Sequence, residues 1–192
     1  MGYHRAGFDI VGVDIGPQPR FPFEFHQGDA IEYAAKHGHE FEVVVGGPPC
    51  QGYTKAWKIQ KNEHPMLIDV FREVLLDLGK PYVIENVEEA RPFLLDPAML
   101  CGASFGLHTY RHRLFETNWN LTVPEHPEHT HQLVKMGRPI HEGDWYHAVG
   151  NFSGVGYVRQ DMGVPWMNRD GIRECIPPAY AEHIGRQLLE VI

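Results

Sequence analysis

The order of apolar and polar positions predicts strands that alternate with helices. Residues 8–14 alternate apolar and small side chains and end in Asp14 before a Gly-Pro pair, which is typical of a strand leading into a turn. Asp29 precedes residues 30–36 with Glu32 three positions on, a pattern that predicts a short helix with a capped start.

Two further strands and a longer helix follow in the chain. The apolar run 41–45 leads into the sequence Gly-Gly-Pro-Pro-Cys at 46–50, which no regular element can continue. Residues 65–78 carry apolar side chains at spacings of three and four, which predicts a helix with one buried face. These side chains are Leu67, Val70, Phe71, Val74, Leu75 and Leu78. The run 82–84 predicts another strand, with Glu85 at its end.

This alternation predicts an α/β fold with a mostly parallel sheet covered by helices. In such sheets ligands bind at the carboxyl ends of the strands. Asp14, Asp29, Cys50 and Glu85 each follow a strand or a strand-like segment. We therefore expect these four side chains to meet in one crevice.

The pattern also divides the chain into three segments. Residues 1–117 form the predicted core. Residues 118–165 are rich in His, Pro, Gly and Trp with little periodicity, which indicates a small irregular insertion. Residues 166–192 include a stretch that recovers helical spacing, so this last segment is expected to return to the core.

Composition narrows the class of protein. The chain of 192 residues has no apolar run near the ~20 residues that a membrane helix needs, and no secretory signal begins it. Its three cysteines, Cys50, Cys101 and Cys175, lack paired spacing, as expected of reduced thiols. We therefore predict a cytoplasmic protein. The formal charge of -8 argues mildly against a nucleic-acid partner, although local patches can override it.

Four side chains are candidates for chemistry. Cys50 follows glycines and prolines that hold the backbone stiff and leave room for a ligand, although a structural cysteine in a turn fits as well. Glu85 is a candidate acid or a solvated strand end, and the adjacent amide of Asn86 can brace a loop. Arg111 and Arg113 would point to one side of an extended segment, either gripping an anion or lying in solvent.

Three of these motifs together resemble one enzyme family. The sequence Gly-Gly-Pro-Pro-Cys-Gln-Gly at 46–52 is similar to the proline-cysteine motif of the C5-cytosine DNA methyltransferases. Glu85-Asn86-Val87 is similar to that family's Glu-Asn-Val motif, and Arg111-His-Arg113 to its paired-arginine motif, in the same order. The resemblance implies a Rossmann-like methyltransferase fold that uses S-adenosylmethionine.

The resemblance also assigns binding roles. Asp14 resembles the acid that holds the ribose of S-adenosylmethionine, Ile15 packs against the adenine, and Asp29 contacts the adenine amino group. Pro48 is a further cofactor residue by the same resemblance. The residues expected at the DNA are Gln51, Lys55 and Trp57, from the loop that in this family closes over the substrate.

The family chemistry assigns the catalytic residues. A thiolate from Cys50 adds to C6 of cytosine, so that C5 becomes nucleophilic enough to take a methyl group. Glu85 is the acid at N3, Arg113 the cation near O2, and Arg111 a residue that braces the site. The target base must leave the duplex to react. The resemblance is to bacterial or bacteriophage enzymes, so it implies the cytoplasm of a bacterium or of a phage-infected cell. It also implies double-stranded DNA as the partner and a monomeric enzyme. Whether a restriction endonuclease is paired with the enzyme stays open.

One family feature is absent from the sequence. The family begins with a strand and a glycine-rich turn that holds the methionine part of the cofactor, whereas residues 1–8 resemble the helix that follows this turn. The missing strand lies in the middle of the family's sheet. We therefore expect residues upstream of Met1, or a separate polypeptide, to supply it.

Three alternatives stay open at this point. The chain is also compatible with an inactive remnant that binds DNA or a partner, and with an RNA cytosine-5 methyltransferase. A zinc-binding module would use His126, His129 and His131, with His141 and His147 beyond. No cysteine pair accompanies these histidines and their spacing is not a standard ligand set, so the sequence predicts no metal site.

Overall fold

The computed structural model describes residues 1–53 and 65–192, which form two compact units. The sheet unit comprises Ile10–Met99, Arg113–Thr122 and Leu188–Ile192. The second unit comprises Met1–Asp9, Leu100–His112 and Val123–Gln187. The chain enters each unit more than once.

The sheet unit contains most of the strands and two helices. Its strands are β1 (Val11–Asp14), β2 (Glu24–Gln27), β3 (Val44–Gly46), β4 (Tyr82–Asn86), β5 (Ala98–Leu100, whose last residue falls in the second unit) and β6 (Arg113–Thr117). Its helices are α2 (Ala30–His37) and α3 (Ile68–Leu78), which follow α1 (Gly2–Ala6) of the second unit. The predicted alternation of strands and helices is thus confirmed, and the fold is α/β.

The strands form two sheets rather than one mostly parallel sheet. β1 pairs in parallel with β2, and the other sheet has the order β3-β4-β6-β5. Within it β3 runs parallel to β4, but β6 runs antiparallel to β4. A parallel return needs a crossover, usually through an α-helix, and the chain from β4 to β6 contains only 3₁₀ turns and β5. The expected sheet is therefore mixed.

The helices of the sheet unit form where the sequence predicts them. α2 begins after Asp29, whose Oδ1 accepts hydrogen bonds from the backbone N–H groups of Ile31 (2.8 Å) and Glu32 (3.1 Å), which is the predicted cap. α3 buries Ile68, Phe71 and Leu75 against the core.

A buried ion pair lies beneath β6 in the sheet unit. Glu116 of β6 is fully buried, and its carboxylate accepts two hydrogen bonds from the guanidinium of Arg72 on α3, at 2.6 and 2.8 Å. The Tyr82 hydroxyl (3.1 Å) and the Leu95 backbone N–H (2.8 Å) donate to the same carboxylate. Burial, together with the Glu116 charge, raises the pKa of Tyr82 to about 12. This network joins α3, β4 and β6.

The second unit has helices and a core of its own. Its later helices are α4 (Val155–Asp161), α5 (Arg169–Glu174) and most of α6 (Pro178–Leu188). The insertion is irregular up to α4, as expected, but it buries apolar side chains around Tyr146 and Val158. Asp161 binds both the Tyr146 hydroxyl (2.7 Å) and the His108 ring (2.6 Å). A polar network thus ties the insertion to the segment before β6.

Close packing of the first helix is also visible in the second unit. A Cβ atom at Gly2 would lie 2.2 Å from the Pro178 carbonyl oxygen, so α1 contacts the start of α6 too closely for any side chain there. No described helix of the protein is long and apolar enough to cross a membrane.

Candidate active site

The ends of β3, β4 and β6 bring three candidate residues together. In the parallel register Gly46 pairs with Ile84, the residue before Glu85. The Pro-Pro-Cys turn, which follows Gly46, and Glu85 therefore lie at the same end of the sheet. Because β6 is antiparallel to β4, its first residue, Arg113, lies at that edge too. The antiparallel strand that the sequence did not predict therefore positions one of the predicted catalytic residues.

Glu85 and Arg113 form an ion pair at this edge. The Arg113 Nε atom lies 3.1 Å from Glu85 Oε1, and each side chain is 16% exposed. Water is largely excluded from both groups, so their charges act strongly on their neighbours. A Cβ atom at Gly47 would lie 3.0 Å from Glu85 Oε2, so the carboxylate sits against the backbone of the cysteine turn.

Cys50 responds to these charges. Burial raises the pKa of its thiol, Arg113 opposes this rise, and the carboxylates of Glu85 and Glu89 add to it. The thiol is partly buried, and its raised pKa favours the protonated form. Since only the thiolate is a strong nucleophile, a reaction at Cys50 needs a change that removes this proton.

Asn86 and Tyr53 hold the cysteine turn. The buried amide of Asn86 donates to the Pro48 carbonyl oxygen (2.9 Å) and accepts from the backbone N–H of Val87 (2.9 Å). Tyr53 is buried, its backbone N–H donates to the Cys50 carbonyl oxygen (3.0 Å), and its hydroxyl accepts from the Ile68 N–H. The sequence indicated the brace at Asn86 but gave no signal for Tyr53.

The four expected cofactor residues line one cavity of the sheet unit. The cavity has a volume of about 650 Å³ and opens between β1, α2 and β3. Asp14, Ile15, Asp29 and Pro48 all contribute to its wall, and the rest is mainly apolar. Ile15 is 78% exposed, so a large apolar side chain at this wall lies open to a ligand.

The two acids of the cavity already hold nearby backbone. Asp14 accepts from the Gly16 N–H (2.7 Å) and the Gln18 side chain (3.3 Å), and Asp29 caps α2 through Oδ1. These bonds fix the direction of each carboxylate at the carboxyl end of a strand or the start of a helix.

Arg111 belongs to the second unit and acts on different groups. Its guanidinium donates to backbone carbonyl oxygens at the end of α5, including those of Arg173 (2.7 Å) and Cys175 (2.8 Å). Its φ of 29° breaks the extended conformation that would have aligned Arg111 with Arg113. The expectation that both guanidinium groups point to one side is therefore wrong, and Arg111 braces local backbone.

Of the three residues expected to bind the substrate, only Gln51 lies among the residues that the structure describes. Gln51 is exposed in the turn after Cys50. Lys55 and Trp57 lie outside the described residues.

The sequence is similar to those of several Type II methyltransferases. It is 30% identical over 105 residues to the Type II methyltransferase M.HgiDI of Herpetosiphon aurantiacus, covering 47% of this chain and 34% of the relative. It is 25% identical over 186 residues to M.AquIA of Picosynechococcus sp., covering 73% and 75%. It is 27% identical over 170 residues to M.XorII of Xanthomonas oryzae pv. oryzae, covering 68% and 40%.

Other comparisons add less. No family model matches the sequence. Among solved structures, a prophage-encoded DNA modification methyltransferase of E. coli gives a TM-score of 0.42 at 24% identity, covering 59% of this chain and 41% of that one. The chain thus spans about a third of M.HgiDI but three quarters of M.AquIA. Its curated relatives are Type II methyltransferases.

Proposed function

We propose that this chain transfers a methyl group from S-adenosylmethionine to C5 of cytosine in double-stranded DNA through a covalent bond between Cys50 and C6. The observation that carries the proposal is the meeting of Cys50, Glu85 and Arg113 at the ends of three strands. Methylation of an exocyclic amino group needs no thiol nucleophile, so this set favours C5 over nitrogen.

The first step is addition of the Cys50 thiolate to C6. The S–C6 bond forms, and the electron pair displaced from the C5–C6 double bond moves towards N3 and O2. The Glu85 carboxylate takes up the proton that the Cys50 thiol loses and delivers it to N3, and the Arg113 guanidinium neutralises charge at O2. The ion pair keeps the two side chains next to each other before the base arrives. The incoming base then replaces their contact, with N3 at Glu85 and O2 at Arg113.

The second step uses the electron-rich C5. Bound S-adenosylmethionine would supply the methyl group from its sulfonium and would leave as S-adenosylhomocysteine, and its positive charge would favour the thiolate form of Cys50. After C5 has taken the methyl group, a base removes the C5 proton. The S–C6 bond then breaks, the thiolate of Cys50 is restored, and the N3 proton returns to Glu85.

The cavity between β1 and β3 fits the cofactor by the chemistry of its wall. Asp14 and Asp29 provide carboxylate acceptors for hydroxyl and amino donors, and Ile15 provides an exposed apolar surface for a flat ring. A volume of about 650 Å³ lies within the usual range for small-molecule sites. Pro48 connects this wall to the cysteine turn.

The proposal for DNA rests on the relatives and on the required access to C6. A cytosine in a duplex must be flipped out at a cost of a few kcal/mol before any group can reach it. The segment 118–165 is proposed to read the target sequence. Gln51, Lys55 and Trp57 are proposed to contact the substrate, with the positive charge of Lys55 suited to a phosphate group.

A labelling experiment tests the proposal and its alternatives together. The chain is incubated with methyl-labelled S-adenosylmethionine and either unmethylated bacterial DNA or transfer RNA, and the products are hydrolysed to nucleosides. Cys50→Ser removes the nucleophile, and Cys175→Ser is the matched control because it changes a thiol of the second unit. We expect labelled 5-methylcytosine from DNA with the wild type and Cys175→Ser, and none with Cys50→Ser.

Each other outcome contradicts a named part of the proposal. Label on a cytosine or adenine amino group refutes the C5 chemistry. Label on RNA alone refutes the DNA substrate. No label on either polymer favours the inactive remnant that binds without methylating.

A further inference from the structure

Four metal-binding side chains of the second unit converge on one point. They are Cys101, His112, His126 and His129, and one ligand atom from each lies within 4.8 Å of all the others. Cys101 is buried at the start of a 3₁₀ turn, and His112 is half-buried just before β6. The other two histidines are exposed in the irregular segment that follows. Sequence spacing alone does not associate the histidines of this segment with Cys101 or His112.

We propose that these four side chains bind one zinc ion. Zinc binds imidazole nitrogen at about 2.0–2.1 Å and thiolate sulfur at about 2.3 Å in a tetrahedron, so its ligands lie about 3.3 Å (N to N) and about 3.6 Å (S to N) apart. The Cys101 Sγ atom lies 3.6 Å from His129 Nε2. His112 Nε2 lies 3.3 Å from His129 Nε2 and 3.1 Å from His126 Nε2. These three separations match three of the six edges of a zinc tetrahedron.

The three rings are arranged as a tripod. Their centroids are 5.1 Å apart for His112 and His126, 5.0 Å for His112 and His129, and 4.9 Å for His126 and His129. Three equal separations fit rings that radiate from one central ion. They do not fit a square-planar ion, around which two of the three rings would lie opposite each other and farther apart.

Hydrogen bonding among the rings does not explain the convergence. The Nε2 atom of His112 faces the Nε2 atoms of both His126 and His129. An imidazole nitrogen carries either one proton or one lone pair in the ring plane, so it serves one such partner at a time. A cation at the centre accepts all the lone pairs at once.

Zinc suits this set better than other metals. Imidazole and thiolate are ligands that zinc shares with copper, but copper(II) prefers a tetragonal arrangement. Four protein ligands close the coordination shell, which is typical of a structural site rather than a catalytic one. The ion would fasten residues 123–131 to the segment that contains Cys101 and His112.

Tyr110 supports one ligand of the site. Its ring stacks on His129 with centroids 3.6 Å apart and planes 12° apart. Its hydroxyl accepts a hydrogen bond from the His131 N–H (2.9 Å), which holds the ligand-bearing segment against it. Partners that orient a ligand in this way are a regular feature of metal sites.

The test measures metal directly and does not depend on methyl transfer. The purified chain is loaded with zinc, freed of excess metal by gel filtration and analysed by elemental mass spectrometry. Cobalt(II) is then substituted for zinc, because its visible spectrum reports tetrahedral coordination and thiolate ligation. The variants are His126→Ala, His129→Ala and Cys101→Ser. The matched control is His141→Ala, an exposed histidine of the same unit.

We expect one zinc per wild-type chain and a tetrahedral cobalt spectrum with a sulfur-to-metal band. Each histidine variant should lose more than about 100-fold in zinc affinity. Removing a residue that only supports a ligand costs about 10- to 100-fold, so a larger loss marks a direct ligand. His141→Ala should keep wild-type affinity. Because His126 and His129 are exposed, their variants are expected to fold without the metal. Wild-type protein that retains no zinc, or His126→Ala and His129→Ala proteins that bind as tightly as wild type, would overturn the proposal.

Discussion

At the scale of single residues, the site is defined by the charges around one thiol. Burial and two carboxylates raise the pKa of Cys50, and Arg113 alone among the named charges lowers it. Because the thiolate is the reactive form, the reactivity of Cys50 is expected to keep rising with pH beyond about 8.5, the ordinary value for a cysteine.

Alkylation of Cys50 by iodoacetamide, followed by peptide mass spectrometry, measures this dependence. Glu85→Gln removes a negative charge and lowers the pKa, so the rate at pH 8 should rise by about 2- to 10-fold, since one pKa unit is tenfold in thiolate. Arg113→Ala should slow the reaction. Asp77→Asn, an exposed change on α3, should leave it unaltered. A rate that levels off below pH 8 contradicts this picture.

A second residue-scale prediction separates binding from folding at Asp29. Asparagine caps a helix as well as aspartate does, so Asp29→Asn should keep the stability of α2 while weakening S-adenosylhomocysteine binding by about tenfold or more. Asp29→Ala should lose the same affinity and also about 1 kcal/mol of stability. Titration calorimetry and urea unfolding measure the two effects. An asparagine variant that binds like wild type would remove Asp29 from the site.

At the scale of elements, the Arg72–Glu116 pair locks α3 to the edge of the site. Arg72→Ala leaves Glu116 buried without its cation, and we expect a loss of about 3–5 kcal/mol in the free energy of unfolding. Replacing both residues together, by Met and Leu, should cost less than Arg72→Ala alone, because no charge stays buried. Urea denaturation measures both values. A loss below about 1 kcal/mol for Arg72→Ala would show that water solvates this carboxylate.

The strands that form the site were only partly foreseeable from sequence. Local patterns predicted the strand ahead of Cys50 and the strand that ends near Glu85, because apolar runs and turn residues mark their limits. The direction of β6 depends on the route of the chain after β4, which no local pattern records. The positive φ of Arg111 is also invisible to a spacing rule, so the two arginines were wrongly aligned.

At the scale of the whole molecule, features built from segments far apart in the sequence could not be predicted from local patterns. The sequence identified Cys50, Glu85 and Arg113 because each lies in a short motif of consecutive residues. The cluster around Cys101 was missed because its ligands come from separate segments of the second unit, brought together by tertiary folding. The buried Glu116 was missed for the same reason, since its partner Arg72 lies on another element.

The arrangement of β1 and β3 leads to a prediction at this scale. Each is an edge strand of its own sheet, and the cavity walls include residues of both. The outward-facing amide groups of an edge strand have no described backbone partner, so they exchange faster than those of a strand that pairs on both sides. Hydrogen exchange should therefore be faster in β1 and β3 than in β4, which lies between β3 and β6. Exchange that is as slow in both edge strands as in β4 contradicts the prediction.

Covalent trapping tests the central claim most directly. DNA that carries 5-fluorocytosine lacks the C5 proton whose removal frees the enzyme, so methylation should leave Cys50 bonded to C6. The chain is incubated with this DNA and S-adenosylmethionine, denatured and separated by electrophoresis. We expect a DNA-bound band with the wild type and with Cys175→Ser, and none with Cys50→Ser. No adduct with the wild type, or an adduct that persists in Cys50→Ser, would contradict the assignment of Cys50 as the nucleophile.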